Sequence, residues 1–165
     1  MPTDGVAFER WTLEDAARAV LLLRRAEASA ATFSDDAVAC YEQGDAREQR
    51  SWLRAIGTLP DPKQFLASAV DACRSSILPI FEAIACENPY PSRHFPERNF
   101  NQVVLKALFS GVALSRIVGL DGRLNAELTR MASDYADERR AAGRPVPADI
   151  GMAMQDRTRQ QEQPR

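Results

Sequence analysis

The chain has 165 residues but only one histidine, three cysteines and eight glycines, and each scarcity closes a class of function. A single histidine cannot build a histidine-rich metal site, and no H-x-x-x-H or H-x-E spacing surrounds it. Cys40, Cys73 and Cys86 are an odd number with no C-x-x-C spacing. Free thiols in a reducing compartment, mostly buried in the core, are therefore expected instead of a disulfide framework. The glycines show neither phosphate-loop nor dinucleotide spacing, and no G-x-S-x-G is present. No long hydrophobic run exists: the apolar stretches near 77–86 and 103–118 are broken by Glu82, Lys106 and Arg116, which excludes a helical membrane span. The first residues lack a basic stretch followed by an apolar core, so no secretory signal is expected and the cytoplasm is the expected location. The net charge of -2 and the interleaving of arginines with acids leave no basic face for nucleic acid. No cofactor is expected, and nothing in the sequence assigns an oligomeric state.

What is present is helical periodicity. Thr12 with Asp15 has capping-box spacing, and Leu13, Ala16, Ala17, Val20 and Leu21 then follow the pattern of an amphipathic helix with that face inward. Ser34 or Asp35 is placed to cap a second helix that ends at Gly44. Asp45 with Glu48 opens a third, carrying Trp52, Leu53 and Ile56 inward. Asp61 and Pro62 fit the N-cap and first position of a fourth. A fifth, with Pro79 in its first turn, is almost wholly apolar to Cys86 apart from Glu82, and reads as buried all round. Residues 88–95, with Pro89 and Pro91 inside the stretch and Pro96 just after it, read as a loop. A sixth helix starts at Pro96–Glu97 and weakens at Gly111, and a last long one is capped by Asn125 and closed by Gly143. The spacing predicts an all-α fold of about seven helices in antiparallel pairs, resembling a short helical-repeat stack. One domain over 1–148 is expected, with 149–165 a polar flexible tail.

Two charges interrupt apolar helices on either side of the proline-rich loop, Glu82 before it and Lys106 after it. A charge there is costly unless paired or used. They could line one polar pocket with His94, Asn101 or Gln102, and Gln102 and Lys106 share a helix face at four-residue spacing. They could equally form a structural ion pair, or reach solvent separately. His94 sits before a helix start, where a general acid or base is conceivable and a backbone-bonded loop histidine is the plainer alternative. Tyr90, Phe95 and Phe100 could wall a site for a flat ligand or simply belong to the core.

The series Asn88-Pro-Tyr-Pro, His94-Phe95, Asn101-Gln102, Val104-Leu105-Lys106-Ala107, Arg116-Ile117-Val118-Gly119-Leu120-Asp121 and Asp134-Tyr135-Ala136 resembles the C-terminal half of the EboA family, most strongly over 81–144. Phe100 stands where the family usually has tryptophan before the Asn-Gln pair. Genes of the family tend to sit beside those for a prenyltransferase and TIM-barrel proteins, in clusters associated with secondary metabolites. The resemblance therefore implies an accessory protein that binds a small hydrophobic or aromatic intermediate, or a pathway enzyme. The resemblance assigns no catalytic residues; on the residues themselves, the ligand-binding candidates are Tyr90, His94, Phe100, Asn101, Gln102, Lys106 and Arg116. Alternatives are a cofactor-free isomerase, cyclase or hydrolase with Glu82 or His94 as base and Lys106 as electrostatic stabiliser, and an interaction scaffold.

Overall fold

The computed structural model describes residues 8–155, and among these the regular structure is all helical, as expected. Eight α-helices are joined by short 3-10 turns: α1 (Leu13–Ala28), α2 (Phe33–Gln43), α3 (Ala46–Ala55), α4 (Leu66–Ala72), α5 (Leu78–Ala85), α6 (Tyr90–His94), α7 (Glu97–Ser110) and α8 (Ala126–Ala141). The chain falls into two compact units, Met1–Pro96 and Glu97–Arg165.

In the first unit the capping box of α1 forms: the Asp15 N–H donates to Thr12 Oγ1 at 3.1 Å and the Thr12 N–H to Asp15 Oδ2 at 2.9 Å. The face of α1 that turns inward is the opposite of the one expected. Leu13, Val20 and Leu21 are 88, 55 and 69 % exposed, while Asp15, Ala19 and Ala26 are buried. The reason lies in α3, which packs against both α1 and α5. Small alanines allow α1 to approach it closely, and the buried Asp15 carboxylate takes its partners from α3. Ser51 Oγ donates to it at 2.6 Å, Arg54 bonds to it, and Arg50 lies 3.6 Å away. Burial alone would raise the Asp15 pKa. The Ser51 bond, the Thr12 bonds and the Arg54 charge outweigh that and hold it at about 2.

Helix α3 has its own capping box between Asp45 and Glu48, and buries Trp52, Leu53 and Ala55, with Ile56 following in a 3-10 turn. Burying each of the larger side chains is worth about 1.5–3 kcal/mol. Helix α2 starts at Phe33, one to two residues before the expected caps. Asp61 and Pro62 take the expected N-cap and first positions, but of a 3-10 turn over Pro62–Phe65: Asp61 is left-handed (φ 43°) and makes no side-chain cap bond, and α4 starts only at Leu66. In α5, Ile80, Phe81, Ala83, Ile84 and Ala85 are buried and Glu82 is half-buried, but Leu78 in the first turn is 43 % exposed, so the helix is not buried all round.

The expected loop over 88–95 contains a helix. Pro89 is the N-cap of α6 and Pro91 sits in its first turn, where a missing N–H costs nothing. Asn88 fixes this corner from within: its amide donates to the carbonyls of Leu53 (2.9 Å) and Ala83 (3.0 Å), and its Oδ1 accepts from the Tyr90 N–H (3.0 Å).

In the second unit α7 ends as expected at Gly111, whose φ of 70° lets the Val112 N–H return to the Ala107 carbonyl at 2.9 Å. The Asn125 cap of α8 is present, with Oδ1 accepting from the Leu128 N–H at 2.8 Å. Leu128, Ala132 and Ala136 form its buried face, and Met131 and Tyr135 are half-buried. The expected tail begins as packed chain over 149–155. Ile150 and Ala153 are buried in a 3-10 turn, Asp149 accepts from the Leu114 N–H at 2.7 Å, and the Gln155 N–H donates to Thr129 Oγ1 at 2.9 Å. These bonds satisfy loop backbone that a solvated tail would leave to water. Residues 156–165 of the expected tail lie outside the described residues.

Candidate functional site

A concave site lies in the first unit, among α1, α2 and α3, with a volume of about 560 Å³. That falls within the range of small-molecule pockets. Each helix supplies one side at helical spacing: Arg18, Leu21, Leu22 and Arg25 from α1, Asp36, Ala37 and Cys40 from α2, Glu48 and Trp52 from α3. Arg18 and Arg25, seven residues apart, stand about 10 Å from each other along α1.

Gly44, also at the wall, permits the close turn from α2 into α3. A Cβ there would lie 2.8 Å from the Cys40 carbonyl oxygen and 3.0 Å from Glu48 Cβ.

Trp52 anchors the apolar side. Its ring packs on Tyr41 (centroids 4.8 Å apart) and edge-on against Phe65 (5.3 Å). Its indole Nε1–H is buried without a hydrogen-bond partner, which is uncommon for a buried tryptophan. At one end Arg18 donates to Ser51 Oγ at 3.3 Å and pairs with Glu14 at 2.7 Å. At the other, Arg25 donates to Thr32 Oγ1 and pairs with Asp36. The cysteines differ from one another: Cys86 is buried, Cys73 half-buried, and Cys40 exposed at the groove. The expectation of mostly buried thiols thus holds for Cys86 alone, because position 40 faces an open groove.

The residues singled out in the sequence lie elsewhere. Tyr90 is fully buried and its hydroxyl donates to the Pro62 carbonyl at 2.7 Å. Burial raises its pKa. His94 is half-buried against the Tyr90 ring, with Nδ1 lacking a partner. Burial, with the nearby Lys63 and Arg93 charges, lowers its pKa and favours the neutral imidazole. Glu82 is half-buried in α5 of the first unit, and Lys106 is half-buried in α7 of the second. Asn101 is buried in a reciprocal amide pair with Asn125, at 2.9 and 3.1 Å. Phe100 is fully buried beneath the Arg123 guanidinium, 4.7 Å from its centroid. Gln102 is exposed, and Arg116 is half-buried in a 3-10 turn. Among the described residues no group of three or more His, Cys, Asp or Glu could hold a metal ion, and no helix is long and apolar enough to cross a membrane.

A family model described as metabolite traffic protein EboA matches residues 3–155. The chain belongs to the EboA family. No curated protein and no solved structure matches it. The EboA match reaches well beyond the 81–144 segment that carries the sequence resemblance, and includes all three helices of the groove. Sequence reasoning missed the groove because Leu21, Cys40 and Trp52 read as core and the arginines as solvated surface. The available signal was Trp52 at i+4 from the capping residue Glu48, opposite an apolar stripe on α1.

Proposed function

We propose that this EboA-family chain is an accessory protein of a secondary-metabolite pathway that binds a small hydrophobic or aromatic intermediate. The observation that carries this reading is the α1–α2–α3 groove, which combines an apolar wall of Leu21, Leu22, Ala37 and Trp52 with guanidinium groups at both ends. A few polar groups around a mainly apolar cleft are the usual make-up of a ligand site. Tyr90, Phe100 and Asn101 do not line that groove, and their polar or aromatic groups are occupied within the fold.

Native mass spectrometry of the protein purified from its own host tests the reading. A co-purifying small molecule is expected, retained in Lys106→Ala and Gln102→Ala and lost in Cys40→Phe, which fills the groove from an exposed position. Loss in the first two variants with retention in the third would instead return the ligand to the segment around Lys106. A second reading, docking of a pathway enzyme, draws on the exposed Leu13, Val20 and Leu21 stripe of α1. Protein without a small molecule, but with a partner released by Leu13→Gln and Val20→Gln, would favour it.

A further inference from the structure

The two ends of the groove differ in how their guanidinium groups are neutralised. Arg25 sits in a closed cluster: it contacts both Asp36 and Thr32, and Thr32 Oγ1 donates to the same Asp36 at 2.9 Å. Arg18 is not closed in this way. Its link to the buried Asp15 runs only through the neutral Ser51 hydroxyl, while Asp15 itself is taken by Arg54 and Arg50. Its contact ion pair is with Glu14, one turn back on α1 and 46 % exposed, and its charge also acts on Asp45. An exposed i,i+4 pair contributes little and exchanges readily with another anion. The other carboxylates at this end, Asp45 and Glu48, are held by the capping box of α3, where they accept backbone N–H groups.

Arg18 is thus a pre-oriented guanidinium, 28 % exposed, at the rim of an apolar groove, with a replaceable counter-ion. A planar carboxylate is the group its fork suits best, because two parallel N–H donors meet two oxygens. Leu21, Leu22 and Trp52 line the same groove as Arg18, which suits a flat apolar body attached to that carboxylate.

We infer that the metabolite carried in this groove is an aromatic or polycyclic acid, its ring system against Leu22 and Trp52 and its carboxylate on Arg18 in place of Glu14. This deepens the groove reading and rests on it.

The test is a fluorescence titration of the full chain with two probes sharing one aromatic body. One is anilinonaphthalene sulfonate, which carries an anion; the other is uncharged phenylnaphthylamine. The wild-type chain should bind the anionic probe about tenfold more tightly at low salt, and the preference should fall as salt is added. Arg18→Gln should abolish the preference and leave the neutral probe bound. Glu14→Gln, a surface change that removes the competing carboxylate, should strengthen anion binding, so the inference stays testable if Arg18→Gln fails to fold. Equal binding of the two probes, or a preference that survives Arg18→Gln in a folded protein, would overturn the acid inference and leave the groove reading intact. Binding of neither probe, or undiminished binding of both to Cys40→Phe, would sink the groove reading itself.

Discussion

Replacing Asp15 with asparagine tests the seam that sets α1 against α3. The carboxylate is fully buried and its pKa falls from the ordinary 3.8 to about 2, a difference worth about 2.5 kcal/mol. Because the folded pKa is the lower one, this stability is fully present above the unfolded value of 3.8 and is lost as the pH falls through about 2. The Asp15→Asn side chain would keep an oxygen for the Ser51 hydroxyl but place N–H donors against Arg54, leaving that guanidinium without a counter-charge. Removing one partner of such a buried pair costs about 3–5 kcal/mol, a large share of the about 5–15 kcal/mol that holds a domain. Urea denaturation followed by far-ultraviolet circular dichroism would measure both proteins at several pH values. The wild-type advantage should shrink by about 1.5 kcal/mol between about pH 5 and pH 2.5, since groups common to both proteins cancel in the difference. An advantage that stays constant over that range would refute the depressed pKa. An Asp15→Asn variant as stable as the wild type would refute the seam.

Two further outcomes are expected. Asn125→Ala removes both the α8 cap and the amide partner of Asn101, so thermal unfolding should show a loss of about 1–2 kcal/mol; an unchanged melting temperature would count against both bonds. His94, the single histidine, gives one unambiguous proton NMR titration, and its midpoint should lie below the ordinary 6.5 because burial and the Lys63 and Arg93 charges favour the neutral ring. Since the neutral form is preferred in the fold, protonation on acidification should weaken the first unit, and a midpoint above 6.5 would contradict the burial of Nδ1.

Local chemistry was the legible part of the sequence. Thr12–Asp15, Asp45–Glu48, Asn125, Gly111 and Gly143 mark helix ends because caps depend on neighbours three or four positions away. The face of α1 was not legible. Apolar periodicity favoured Leu13, Val20 and Leu21, whereas the partner helix 30 or more residues further on selects Asp15 and two alanines. No count along α1 alone carries that information. Helix α6 was hidden by its prolines, which break a helix interior yet suit a first turn once Asn88 has organised the corner. The groove was hidden for a related reason: Arg18, Cys40 and Trp52 come from three helices, and only tertiary packing makes one surface of them.

The Asp15 seam also has a direction in time. Asp15 and Arg54 are 39 positions apart, so a ribosome adding about 5–20 residues per second delivers the carboxylate about 2–8 seconds before its guanidinium. Through that interval the nascent carboxylate has the Thr12 N–H of its own capping box but not its counter-charge, so water must hydrate the rest of it. The Leu13, Val20 and Leu21 stripe gains no cover when the seam closes, being exposed in the finished fold as well. The seam of α1 can therefore close only once α3 has been made, since Ser51 and Arg54 both belong to it.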